Sequence, residues 1–139
     1  MFIIFDFQGT AAIEGIILNM SELKRNVTIR RAAFSKMCNL RFFKIYCDNI
    51  HSNKYKLYFP RGCESFVSTE LRYFQWDLYP LKYLPSEFTP ENLVGLILRH
   101  SHLKQLGNLV QVCLTNCIII YIYNYFQELK GLYTWYTRK

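Results

Sequence analysis

The sequence predicts an α/β fold of stacked short units, with parallel strands along one side and irregular or short helical returns along the other. Two observations carry this expectation. Leu71, Phe74, Trp76, Leu81 and Leu84 recur 22 positions later as Leu93, Leu96, Leu98, Leu103 and Leu106, with all five offsets preserved. The core of that pattern also returns upstream, as Leu40, Phe43, Ile45 and again as Ile13, Ile16, Leu18. Self-similarity at this spacing marks a repeat architecture, in which each unit buries its apolar face only against its neighbours.

The shared frame is L-x-x-L-x-L with apolar residues five and eight positions further on, and it matches the leucine-rich repeat of about 20 to 29 residues. In x-L-x-L-x both apolar side chains fall on the same side of a short strand, because strand side chains alternate with period two. The later apolar positions turn the chain back and close the other wall of the core.

Four units start near residues 13, 40, 71 and 93, with spacings of 27, 31 and 22. In the first, Ile13, Ile16 and Leu18 form the strand, with Leu23 five residues on. Arg31 to Met37, containing Ala32, Ala33, Phe34 and Met37, reads as its helical return. The second unit carries an insertion in the polar stretch Asp48 to Lys56, which loops tolerate at modest entropic cost. In the third, Pro85 and Pro90 break any helical return. The fourth runs from Leu93, and beyond Gln111 the frame lapses.

The expected organisation is therefore an atypical leader over 1–8, a repeat region over 9–111 and an apolar atypical tail over 112–139. Leu109 to Phe126, running from the end of the repeat region into this tail, is a stretch of 18 residues without a charge, which just reaches the length of a membrane span. Ile118 to Tyr123, rich in isoleucine and tyrosine, reads equally as an edge strand.

Composition narrows the function classes. The 139 residues suffice for one domain of ordinary size. A net charge of +7 raises nucleic acid or an anionic membrane as partners. The basic residues are dispersed, however, and the aromatics carry no RNA-binding signature, so nucleic acid is not expected. Cys38, Cys47, Cys63, Cys113 and Cys117 show no C-x-x-C pairing that would hold zinc or run redox chemistry, and fit a reducing, cytoplasmic setting. Met1 to Gln8 lacks the basic start of a signal peptide.

No enzyme is expected. Glu64, Glu70, Glu87 and Glu91 form no obvious acid/base pair, and no serine stands in a G-x-S-x-G elbow. His100 and His102, placed on one face of the fourth strand, lack a third metal ligand. No cofactor or metal is expected.

The side chains expected to point out of the strand face are Gly15, Ile17 and Asn19; Phe42, Lys44 and Tyr46; Tyr73, Gln75 and Asp77; and Gly95, Ile97 and Arg99. Of these, Lys44, Tyr46, Tyr73, Gln75, Asp77, Ile97 and Arg99 are the candidate protein-binding residues, since charge with aromatic area suits a protein partner.

The text of the repeats also resembles a known family. Gly9-Thr10, Ile13-Glu14-Gly15-Ile16, Met20-Ser21, Ala33-Phe34-Ser35-Lys36-Met37 and Asn39-Leu40-Arg41 resemble the entry to the repeat domain of plant receptors that combine TIR, nucleotide-binding and leucine-rich-repeat domains. Glu70-Leu71-Arg72-Tyr73 with Trp76, Tyr79-Pro80-Leu81-Lys82-Tyr83-Leu84-Pro85-Ser86 and Pro90-Glu91-Asn92-Leu93-Val94 look like the next landmarks in the same order.

The match runs from about Gly9 to Gln111. It implies a fragment of an intracellular immune receptor that recognises a pathogen effector or a guarded host protein, or restrains the nucleotide-binding domain of a full receptor. The phosphate-loop motif G-x-x-x-x-G-K-[ST] is not among these residues, so nucleotide binding is not carried over. Both ends depart from the family pattern, which leads to the expectation of a truncated gene product. The alternative is a membrane-associated repeat protein anchored through Leu109 to Phe126.

Overall fold

The computed structural model describes residues 10–29, 31–52, 54–58, 68–84, 88, 91–104 and 119–123. Among the described residues, seven short strands and one short helix follow in order: β1 (Gly15–Asn19), β2 (Val27–Thr28), α1 (Arg31–Ser35), β3 (Phe42–Tyr46), β4 (Leu57–Tyr58), β5 (Tyr73–Trp76), β6 (Gly95–Arg99) and β7 (Ile119–Tyr123). Single 3-10 turns at Met20–Glu22 and Ile50–Ser52 follow β1 and β3.

The main sheet has the order β1-β3-β5-β6-β7, with every neighbouring pair parallel. β2 and β4 form a second, two-stranded parallel sheet. The fold is α/β, with short parallel strands and little helix.

Register follows the apolar frame. Ile16 pairs with Phe43, Phe43 with Phe74, Phe74 with Leu96 and Leu96 with Ile120, while Leu18 pairs with Ile45 and Ile45 with Trp76. Ile13, Leu40, Leu71 and Leu93, which open the four units, are all buried. A shift of one residue in any strand would turn its apolar pair outward, so burial fixes the register. Phe43 and Phe74 stack in the core at 5.1 Å, and Trp76, in a leucine position, meets Tyr79 edge-on at 5.4 Å. Leu103 is buried, and Leu23, Leu81 and Leu84 pack partly buried against the same core.

Polar contacts repeat from turn to turn as well. The amides of Ile13, Leu40 and Leu71 each close a tight turn onto the carbonyl three residues back. Asn39 donates to the Ala11 carbonyl at 2.9 Å, Ser68 Oγ to that of Cys38 at 2.6 Å and Asn92 to that of Thr69 at 3.2 Å. Each acceptor lies two residues before the first apolar position of the preceding unit, so each of the last three units is tied to the one before it.

Several expectations need correction or refinement. The helical return α1 spans Arg31–Ser35 and stops short of Met37. β6 ends at Arg99, and His100 has a φ of 52° in the turn that follows, so His100 and His102 do not share a strand face. Leu78, at the equivalent place after β5, has a φ of 60°; both positions turn the chain sharply out of its strand.

The sheet continues past Gln111, because β7 adds to β6 over Ile119–Tyr123. That segment is strand where the anchoring alternative needs helix, and no helix among the described residues is long and apolar enough to cross a membrane. Pro85, Pro90 and Leu106 lie outside the described residues.

Candidate functional site

The side chains opposite the core form three rows across the strands. Gly15, Phe42, Tyr73 and Gly95 occupy successive strands of the first row. Ile17, Lys44, Gln75 and Ile97 form the second. Asn19 and Tyr46 begin the third, which Asp77, just past the end of β5, and Arg99, the last residue of β6, continue. All seven candidate residues thus fall on the one face where strand alternation placed them.

They differ in what they can offer a partner. Lys44, Tyr46, Tyr73, Ile97 and Arg99 are half-buried and reach the surface. Gln75 and Asp77 are buried, Asp77 completely, so a partner cannot touch that carboxylate directly. Its role is to organise its neighbours.

Arg99 donates to Asp77 from Nε at 2.9 Å and from Nη2 to the second carboxylate oxygen. The Cys47 amide also donates to Asp77, at 3.1 Å. Gln75 donates to Asp77 at 3.2 Å and accepts from the Tyr73 hydroxyl at 2.7 Å. A continuous network therefore runs Tyr73, Gln75, Asp77, Arg99, and it satisfies a carboxylate that burial would otherwise strongly disfavour. Desolvation raises the Tyr73 phenol pKa above its ordinary value; Asp77 adds to the rise and Arg99 opposes it.

The aromatic side chains are held just as definitely. Phe42 and Tyr73 stack with centroids 4.6 Å apart and planes 8° from parallel. Lys44 Nζ sits 4.7 Å from the centre of the Tyr46 ring, a cation–π pair that holds an extended lysine over the face. Asn19 ties the first strand to Asp48 at 2.7 Å.

At the edge of this face, the Glu14 carbonyl accepts from the amides of Arg41 and Phe42, that of Arg41 from Arg72 and Tyr73, and that of Arg72 from Val94 and Gly95. Glu14, Arg41, Arg72 and Val94 consequently stand side by side as an exposed row. The residues expected from the sequence do not include Arg41 and Arg72 at this edge or, among the candidate protein-binding residues, Phe42. The signal was present: both arginines directly follow the first apolar residue of their units.

The chain is similar to disease resistance protein RPP2A of Arabidopsis thaliana, at 42% identity over 98 residues, 70% of this chain and 7% of that protein. It is 42% identical to disease resistance-like protein DSC1 over 101 residues, 70% of this chain and 8% of the relative, also from Arabidopsis thaliana. Disease resistance protein RRS1 of the same plant is 39% identical over 99 residues, 71% of this chain and 8% of the relative. The chain spans less than a tenth of the length of these three relatives. No family model and no solved structure matches it.

Proposed function

We propose that this chain, which belongs with the plant disease resistance proteins over the stretch it shares with them, supplies a leucine-rich-repeat surface that recognises another protein. The β1-β3-β5-β6-β7 order, one strand from each of the four units in chain order and then β7, is the arrangement expected of successive turns of a solenoid, with the open sheet as its concave side. The family's resistance role makes the partner a pathogen effector, a guarded host protein or the nucleotide-binding domain of a longer receptor, met in the cytoplasm.

The observation that carries this reading is the ordered face itself. A stacked aromatic pair, a cation–π pair and a closed polar network fix their side chains before any partner arrives. Pre-ordered aromatic and arginine side chains reduce the entropy lost on binding and are enriched where binding energy concentrates. Lys44, Tyr46, Tyr73, Ile97 and Arg99 make the contacts, with Gln75 and Asp77 holding Tyr73 and Arg99 in place.

Co-precipitation of the full chain with the nucleotide-binding domain of a relative, after co-expression in leaf tissue, tests it. Capture is expected to fall at least tenfold for Lys44→Glu/Tyr46→Ser and to persist for Tyr58→Ser on the two-stranded sheet. Equal capture of both variants, or loss with Tyr58→Ser alone, contradicts the proposal.

A further inference from the structure

We propose that the gap above Gly15, beside the Phe42 ring, is a specificity slot that takes an aromatic side chain of an acidic partner segment. The inference rests on the recognition face proposed above and names the chemistry that the face selects.

The first row of the face is asymmetric about its aromatic pair. On the β5 side, Tyr73 covers one face of the Phe42 ring. Tyr73 also leans over Gly95, where an added Cβ would stand 3.2 Å from its ring, so that end of the row is filled. At the other end, an added Cβ on Gly15 would meet, among the described residues, nothing nearer than Phe42 Cβ at 3.8 Å, an ordinary contact.

Gly15 thus leaves room on the side of Phe42 that Tyr73 does not use. A planar ring entering there extends the two-ring stack to three, in the offset geometry that aromatic groups favour.

Charge states what surrounds that ring. Arg41 and Arg72 stand side by side on the exposed edge, and Lys44 lies one row further along β3. None of the three has an ion-pair partner among the described residues. On the acidic side, Asp77 is buried under Arg99, Asp48 is bonded to Asn19, and Glu14, the residue before Gly15, borders the slot on its β1 side, so the positive charge lies on the β3 and β5 side. The exposed charge over the middle of the face is therefore positive, which steers and orients a negatively charged segment.

Gly15 has no conformational reason to be glycine, since it lies in an extended strand and, among the described residues, meets no close backbone. A β-branched residue there would ordinarily favour the strand. The empty position is the feature the slot requires.

The experiment measures binding of the full chain to three fluorescent synthetic peptides: glutamate-rich with one central phenylalanine, the same with alanine at the centre, and lysine-rich with the phenylalanine kept. The first is expected to bind, the alanine peptide about tenfold more weakly, and the lysine peptide not measurably. Gly15→Val is expected to melt no lower than the parent and to bind the alanine and phenylalanine peptides equally weakly. Lys44→Glu is expected to weaken both acidic peptides together.

An unchanged preference for phenylalanine in Gly15→Val, or no preference in the parent chain, overturns the slot. Absence of peptide binding while protein capture still depends on Lys44 and Tyr46 also overturns it, and leaves the recognition face standing.

Discussion

Arg99 closes over Asp77 with two donors, and the pair joins two strands at equivalent positions 22 residues apart, the spacing of the repeat itself. Asp77 has no solvent exposure, whereas the Arg99 side chain retains 38%. The two partners are therefore unequal. Arg99→Leu strands a buried carboxylate and is expected to cost roughly 3 kcal/mol or more. Asp77→Leu lets Arg99 turn to water and leaves the Cys47 amide and Gln75 short of an acceptor, at about 1–3 kcal/mol. Urea denaturation of both variants checks the order, and the double variant should cost less than the two combined.

The two glycines of the first row should respond in opposite directions. Gly95→Val must displace the Tyr73 ring and disturb its bond to Gln75, lowering stability by about 1–3 kcal/mol. Gly15→Val should be neutral or stabilising. Thermal melting of the pair decides, and a lower melting point for Gly15→Val would show that the space beside Phe42 is already occupied.

Alkaline pH should unfold the chain early. Burial holds the Tyr79 phenol well above its ordinary value of about 10, and Tyr73 is shifted in the same direction. Between the unfolded and folded pKa values the native state keeps protons that the unfolded chain has lost, so stability is fully present below about pH 10 and falls as pH rises beyond it. Tyr79→Phe should flatten this fall while losing the hydrogen bond to the Tyr83 carbonyl, worth about 1 kcal/mol near neutrality. Melting temperatures from pH 8 to 11 provide the comparison.

The ties between turns should contribute separately. Asn39→Ala and Asn92→Ala each remove one side-chain bond to the preceding turn, at about 0.5–1.5 kcal/mol apiece. They share no partner, so the double variant should show the sum. A coupling above about 0.5 kcal/mol by denaturant titration would mean that the turns do not act as independent neighbours.

Much of this fold was legible in the sequence because the apolar frame does two tasks at once. Ile16, Phe43, Phe74 and Leu96 define the repeat in the text, and the same residues set strand register by needing burial. The two-stranded sheet was not legible, since Val27–Thr28 and Leu57–Tyr58 are too short to show a period. Over β7 the sequence left an edge strand at Ile118 to Tyr123 and a membrane span both open, because a charge-free run is compatible with either until a neighbour pairs with it.

Alternation placed all seven candidate residues on one face but could not show that Gln75 and Asp77 are buried while the other five reach the surface. Asp77 and Arg99, opposite in sign at equivalent positions of adjacent units, carried the missing information. Residues facing each other across neighbouring strands pair by charge, and the more deeply placed member is lost to a partner.

The recognition face is tested most directly by site-specific photo-crosslinking of the full chain to the nucleotide-binding domain of a relative. A photoreactive phenylalanine analogue would replace Tyr46 on the open face in one variant and the exposed Tyr58 in another. The face predicts an adduct from position 46 that disappears with Lys44→Glu, and none from position 58. Adducts of equal yield from both positions, or from position 58 alone, would contradict it.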